Sequence, residues 1–198
     1  MNEVSLPIRQ PRICVEDFDE MLMSKPEYEK WELINGRVIK SRVGATWEHK
    51  QIVVNVLVAL TNHLRQSASP YRAYDETFWV KDKPKQFGAF PDVMVFKSAL
   101  APNQLSIDDP TIIVEVLSPG TENHDRLVKR LAYQELDSLQ TYILIARDRL
   151  LIDVYRRQAD GWHGDPPLQS LDAQLSLPEI DFQIAVGDIY RDIQFPAD

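Results

Sequence analysis

A single cysteine, Cys14, stands in the whole chain. No intramolecular disulfide and no thiolate-rich zinc or iron–sulfur site can be built from it. Positive charge is also short: 22 Lys and Arg against 30 Asp and Glu give a net charge of −8. That balance argues against coating a nucleic acid through bulk electrostatics, while leaving room for a local basic patch. No run approaches the ~20 apolar residues that a membrane span needs. Met1 to Arg12 is polar and Pro-punctuated and lacks a signal peptide's apolar core. A cytoplasmic protein with no membrane partner is expected. Glycine is scarce, seven against thirteen prolines, which fits many loops and few flexible linkers. Internal repeats, a P-loop, a dinucleotide fingerprint and an H-E-x-x-H helix are missing, and no G-x-S-x-G elbow surrounds Ser118.

What is there is enough for a core. The 198 residues are 44% apolar and 26% charged, the profile of one ordinary globular domain. Residues 1–12 read as a flexible arm and 13–198 as a single domain. Val15 to Ser24 carries Phe18, Met21 and Leu22 at helical spacing, before Pro26. Trp31 to Ile34, Asn35-Gly36 and Arg37 to Ile39 spell a β-hairpin with a tight primed turn. Trp47 to Gln66 is the clearest helix, with one stripe of Ile52, Val53, Val56, Leu57, Leu60 and Leu64. Tyr71 to Val80 reads as a strand interrupted at Asp75-Glu76, followed by a polar loop over Asp82 to Lys85. Pro91 to Phe96 and Thr111 to Leu117 have the Val/Ile-rich look of central strands. Ser118-Pro119-Gly120-Thr121 breaks the second of these and caps a helix over about 122–136. Thr141 to Ala146 and Leu151 to Arg156 suggest a further hairpin, and the remainder is weakly patterned. This order predicts an α/β domain, a mixed β-sheet flanked by helices.

Glu115 is the most informative residue, because it interrupts the apolar run Ile112-Ile113-Val114-Glu115-Val116-Leu117. Burying a carboxylate without a partner costs several kcal/mol. A cation, a metal or a hydrogen-bond network must compensate it, in a structural or a functional role. Asp92 opens the other central run, Pro91-Asp92-Val93-Met94-Val95-Phe96. Alone it reads as a turn-former. With Glu115 on a neighbouring strand it makes a carboxylate pair at one end of a sheet, the oxygen set that hard divalent cations prefer.

On the following helix, ~100° per residue puts Val128, Leu131 and Ala132 on the core-facing stripe. Arg126 and Arg130 then point to solvent, and Lys129 borders the core. Lys129 is thus either a solvated i,i+4 partner of Asp125 or an amine reaching into an adjacent cavity. Glu32, before the Asn35-Gly36 turn, and His49, on the long helix's apolar face, are weaker candidates.

These residues carry a resemblance. Trp31-Glu32-Leu33-Ile34-Asn35-Gly36, His49, Pro91-Asp92, Val114-Glu115-Val116-Leu117-Ser118-Pro119, the spacing of Asp125, Lys129 and Tyr133, and Tyr142-Ile143-Leu144 resemble the Uma-two family of restriction endonucleases. That family belongs to the PD-(D/E)xK nuclease superfamily, and the likeness runs from about residue 13 to 190. It implies a restriction-endonuclease-like core and metal-dependent hydrolysis of DNA. Asp92, Glu115 and the Val116 carbonyl would hold Mg²⁺ or Mn²⁺, and Lys129 would serve the attacking water. Glu32 would contact the metal through water or orient Lys129. The superfamily's usual strand lysine is replaced here by Leu117, so the lysine would come from the next helix. A catalytic Lys129 implies that Lys129→Ala loses cleavage with folding stability nearly intact. Two other readings stay open: a degenerate nuclease fold acting as a DNA-binding or protein-interaction module, and a hydrolase of another phosphodiester such as RNA. The superfamily also implies a homodimer, with Leu175, Leu177, Ile180 and Phe182 as candidate contact surface.

Overall fold

The computed structural model describes residues 12–42, 44–118 and 122–195. The arm expected over residues 1–12, all but Arg12, lies outside the described residues, as does the break expected at Pro119-Gly120-Thr121. Helix α1 spans Val15–Met23, with the Cys14 sulfur accepting from the Asp17 amide at its N-terminus and Val15 and Phe18 buried beneath it. Strands β1 (Glu29–Ile34) and β2 (Arg37–Arg42) form the expected hairpin. Asn35 and Gly36 have φ of 51° and 74°, the doubly left-handed geometry that primed turns require.

Helix α2 covers Trp47–Gln66 and buries Ile52, Val53, Val56, Leu60 and Leu64. The stretch read as one interrupted strand is two strands in different sheets: β3 (Arg72–Asp75) and β4 (Trp79–Asp82). Asp75 causes the change of direction. Its Oδ1 accepts from the Thr77 amide at 3.3 Å and the Thr77 hydroxyl at 2.6 Å, which turns the chain. Then come β5 (Phe87–Ala89), β6 (Val93–Phe96), β7 (Ser106–Ile107) and β8 (Pro110–Leu117).

A π-helical segment, His124–Lys129, runs into α3 (Arg130–Gln134). It carries the crossover from β8 to β9 (Thr141–Ala146), which lie parallel. Strands β10 (Ile152–Gln158) and β11 (Gly161–Gly164) extend the sheet. The weakly patterned end forms β12 (Gln174–Leu177), a 3₁₀ turn over Pro178–Ile180, β13 (Phe182–Ala185) and α4 (Val186–Ile189). No helix among the described residues is long and apolar enough to cross a membrane.

Strand order is β11-β10-β9-β8-β6-β3 in a mixed six-stranded sheet and β2-β1-β5-β4-β7 in a five-stranded one. The central strands read as unbroken apolar runs because both faces are covered. Val93, Val95, Val114 and Ile143 meet α2 and the β12–β13 hairpin. Met94, Phe96, Ile113 and Leu144 meet α3 and part of the five-stranded sheet. Period-two alternation therefore puts Glu115, between Val114 and Val116, on the α3 side with Ile113 and Leu117.

The proposed dimer surface is not a surface. Leu175, Leu177, Ile180 and Phe182 are 3%, 1%, 6% and 8% exposed and pack into the core beneath α2. The β12–β13 hairpin closes one face of the sheet, which would otherwise stand open.

Gly88 of β5 lies against the Trp79 ring, and a Cβ there would run into it. Trp79 is 4% exposed and cannot swing away. Gly88→Ala is expected to cost about 1–3 kcal/mol as an overpacked core, read as a lower midpoint in urea. An unchanged midpoint would mean that this contact is loose.

Candidate active site

The site forms where the two sheets meet. β6 and β8 are antiparallel neighbours with Val93 opposite Val114, which sets Asp92 alongside the Glu115 end of β8. The ladder stops at Val93, and the Asp92 side chain continues it: Oδ2 accepts from the Val116 amide at 2.8 Å. Its Oδ1 lies 3.3 Å from His49 Nε2, on α2. Asp92 is 5% exposed and Glu115 is 3% exposed.

Glu115 Oε1 sits 2.6 Å from the Lys129 amine and accepts a hydrogen bond from the Tyr133 hydroxyl at 3.2 Å. The same amine lies 3.1 Å from Glu32 Oε1 and 3.7 Å from Asp125 Oδ1. Glu32 reaches it from β1, in the other sheet. The structure thus brings Asp92, Glu115, Lys129 and Glu32 into one buried cluster, with Val116 on its border.

The helical wheel needs correcting. Leu127, Val128 and Leu131 are exposed, and Asp125, Lys129, Ala132, Tyr133 and Leu136 face inward. The π-helical segment breaks the regular 100° pitch, and two carboxylates from different sheets draw the amine in. Arg126 does not point free into solvent either: it is bound to Glu122 and Asp153, while Arg130 lies over the Tyr155 ring. Lys129, 3% exposed, is therefore no solvated flank residue.

Burial works against the charge on Lys129, yet Glu115, Glu32 and Asp125 hold its pKa well above the ordinary value. Burial also disfavours the Glu32 anion, but Lys129 and Lys30 outweigh it and lower that pKa. For Asp92 the His49 hydrogen bond, Lys30 and the Val116 amide overcome burial and hold the pKa at about 2. Glu115 goes the other way. Burial, with Asp92 and Asp125 adding like charge, pushes it to about 8 against the pull of Lys129.

Lys30 received no role from the sequence, yet it couples electrostatically to Asp92, Glu32 and Glu115, which together raise its pKa against the cost of burial. A signal existed: along β1, Lys30 and Glu32 are two apart and share a face. His49 read as a packing residue, and its approach to Asp92 depends on how α2 docks. Tyr133 had a place only in the spacing pattern.

The cluster floors a cleft of about 800 Å³, with Lys30, Lys40, Lys50 and Arg147 among its walls. Among the described residues, no group of three or more His, Cys, Asp or Glu is arranged to hold a metal. The Asp92 and Glu115 carboxylates, with Val116 beside them, line the floor of this cleft. Mg²⁺ commonly takes one or two carboxylates and keeps its waters. One further observation fits a divalent cation: four carboxylates, Glu32, Asp92, Glu115 and Asp125, face two ammonium groups, Lys30 and Lys129.

A model of the Uma2 family, described as putative restriction endonuclease, matches residues 15–187. The protein slr1290 of Synechocystis sp. is 28% identical over 186 residues, covering 93% of this chain and 95% of its own. A second Synechocystis protein, sll1609, is 27% identical over 135 residues, 67% of this chain and 75% of its own. The crystal structure of a putative nuclease belonging to DUF820, from Anabaena variabilis, superposes with a TM-score of 0.71 at 19% identity. It covers 87% of this chain and 96% of that one. At that identity the likeness speaks for the fold.

Proposed function

We propose, because the chain belongs to the Uma2 family of putative restriction endonucleases, that it is a divalent-metal-dependent endonuclease hydrolysing DNA phosphodiester bonds. The observation that carries this reading is the buried Lys129–Glu115 contact of 2.6 Å beside Asp92, at the floor of an open cleft. Asp92, Glu115 and the Val116 carbonyl would hold Mg²⁺ or Mn²⁺, which when bound supplies a Lewis acid for the phosphate and a water of lowered pKa. The His49 ring and the Val116 amide fix Asp92 as an anion. The Tyr133 hydroxyl orients Glu115.

Lys129, kept protonated by Glu32, Asp125 and the ionised form of Glu115, is not a base in this setting. It stabilises negative charge developing on the phosphate and orients the attacking water. Glu32 and Asp125 set the amine's position. Glu32 thus supports the chemistry through Lys129. Cutting both strands of a duplex needs two such sites, so a two-fold homodimer is part of the proposal.

Plasmid nicking with Mg²⁺ or Mn²⁺, against a chelator control, tests the function. The wild type should nick DNA only with metal, and Asp92→Asn should lose about two or more orders of magnitude in rate. Parallel RNA substrates check the alternative phosphodiester. DNA bound but never cut would instead favour a binding module, which the Leu117 substitution of the usual strand lysine also suggests.

A further inference from the structure

We infer that Lys30, Lys50 and Glu76 form a phosphate clamp on the cleft wall, which grips the nucleic-acid backbone next to the scissile bond. This inference rests on the nuclease reading of the cleft floor. The three residues come from three elements: β1, α2 and the turn between β3 and β4. Glu76 Oε2 lies 3.2 Å from the Lys30 amine and Glu76 Oε1 lies 2.5 Å from the Lys50 amine. One carboxylate thus holds two ammonium groups, one on each oxygen. A phosphodiester presents the same pattern, two non-bridging oxygens sharing one negative charge. In the free protein Glu76 occupies the place that a backbone phosphate would take.

The surroundings agree. All three residues line the cleft that has Asp92 and Glu115 at its floor. Side-chain exposures of 23% for Lys30, 39% for Glu76 and 49% for Lys50 leave the trio within reach of a ligand. The exposed Lys50–Glu76 pair adds little to stability, so fold support does not account for that half of the arrangement. Even with Lys30 assigned to the floor carboxylates, Lys25, Lys40, Lys50 and Arg147 outnumber Glu29 and Glu76 on the wall. Lys40 lies 3.8 Å from the Trp31 ring centroid, and Arg147 is hydrogen-bonded to the Thr46 hydroxyl. A chain with a net charge of −8 needs such a local patch to bring a polyanion to an acidic floor.

Binding of fluorescein-labelled DNA and RNA duplexes, followed by anisotropy in Ca²⁺ over a range of salt, tests the clamp apart from cleavage. Lys50→Ala and Lys30→Ala should each weaken binding about five- to tenfold and reduce the salt slope by about 0.9 per lost phosphate contact. Glu76→Gln should free both lysines and tighten binding several-fold, with a melting temperature like the wild type's. The preferred duplex identifies which backbone the clamp takes. Lysine variants that bind like the wild type, a Glu76→Gln protein that binds more weakly, or a wild type that binds neither duplex would each overturn the clamp. Should the variants behave as expected while no condition yields cleavage, the clamp stands and the nuclease reading fails.

Discussion

Lys129→Ala is expected to remove cleavage and much of the fold's stability together. The sequence alone allows a catalytic lysine whose loss leaves stability nearly intact. The structure changes that expectation, because the amine is 3% exposed and is the shared counter-charge of Glu115, Glu32 and Asp125. Deleting one member of a buried ion cluster leaves uncompensated charge, which typically costs about 3–5 kcal/mol. Urea denaturation reads this loss directly. Cleavage should fall by about two or more orders of magnitude, the range for electrostatic and acid–base groups.

Stability and chemistry can then be separated by a second substitution. Lys129→Met combined with Glu32→Gln removes one of the stranded charges and should recover part of the stability, while activity stays lost. A Lys129→Ala protein with wild-type stability would show that the amine lies in solvent, and the site assignment would fall with it.

Metal-dependent activity should climb about tenfold per pH unit up to about pH 8 and then level off. Glu115 is the cause. Its pKa rises from 4.5 to about 8 through burial and the charges of Asp92 and Asp125. A carboxyl must shed its proton before it can ligate a cation, so the competent fraction grows with pH until that pKa is passed. The sign for stability follows from the same shift. The folded chain binds this proton more tightly than the unfolded chain. The group's contribution is therefore complete below pH 4.5 and is lost as pH rises through about 8 in the metal-free protein. Asp92 acts oppositely. Its pKa falls from 3.8 to about 2, so its contribution is present above pH 3.8 and vanishes as pH drops through about 2. A kcat/KM profile measured from about pH 6 to 9 decides the case; a flat line below pH 8 would mean that Glu115 is already ionised in the working protein.

Much of the site could be read from residue types. A glutamate inside Ile112-Ile113-Val114-Glu115-Val116-Leu117 signals a compensated buried charge whatever surrounds it, since apolar strands do not otherwise hold carboxylates. The Asn35-Gly36 turn and the α2 stripe were equally legible, because turn chemistry and helical periodicity are local properties. Such local rules also put Asp92 at the head of its strand, but the apolar stripe they draw through Val128 and Leu131 is not the buried one, so they do not place Lys129.

Tertiary structure decided the rest. Periodicity tells which residues share a face; it does not tell which element covers that face. Lys30 and Glu32 reach Asp92 and Lys129 only because a second sheet abuts the first. Leu175, Leu177, Ile180 and Phe182 look alike in sequence whether they meet a second copy or their own sheet, and the β12–β13 hairpin folds them against α2. Tyr71 to Val80 divides between two sheets because the Asp75 side chain turns the chain at Thr77. Lys129 faces inward, and Leu127 and Val128 outward, because charges arriving from distant strands and a π-helical turn outweigh the local apolar pattern.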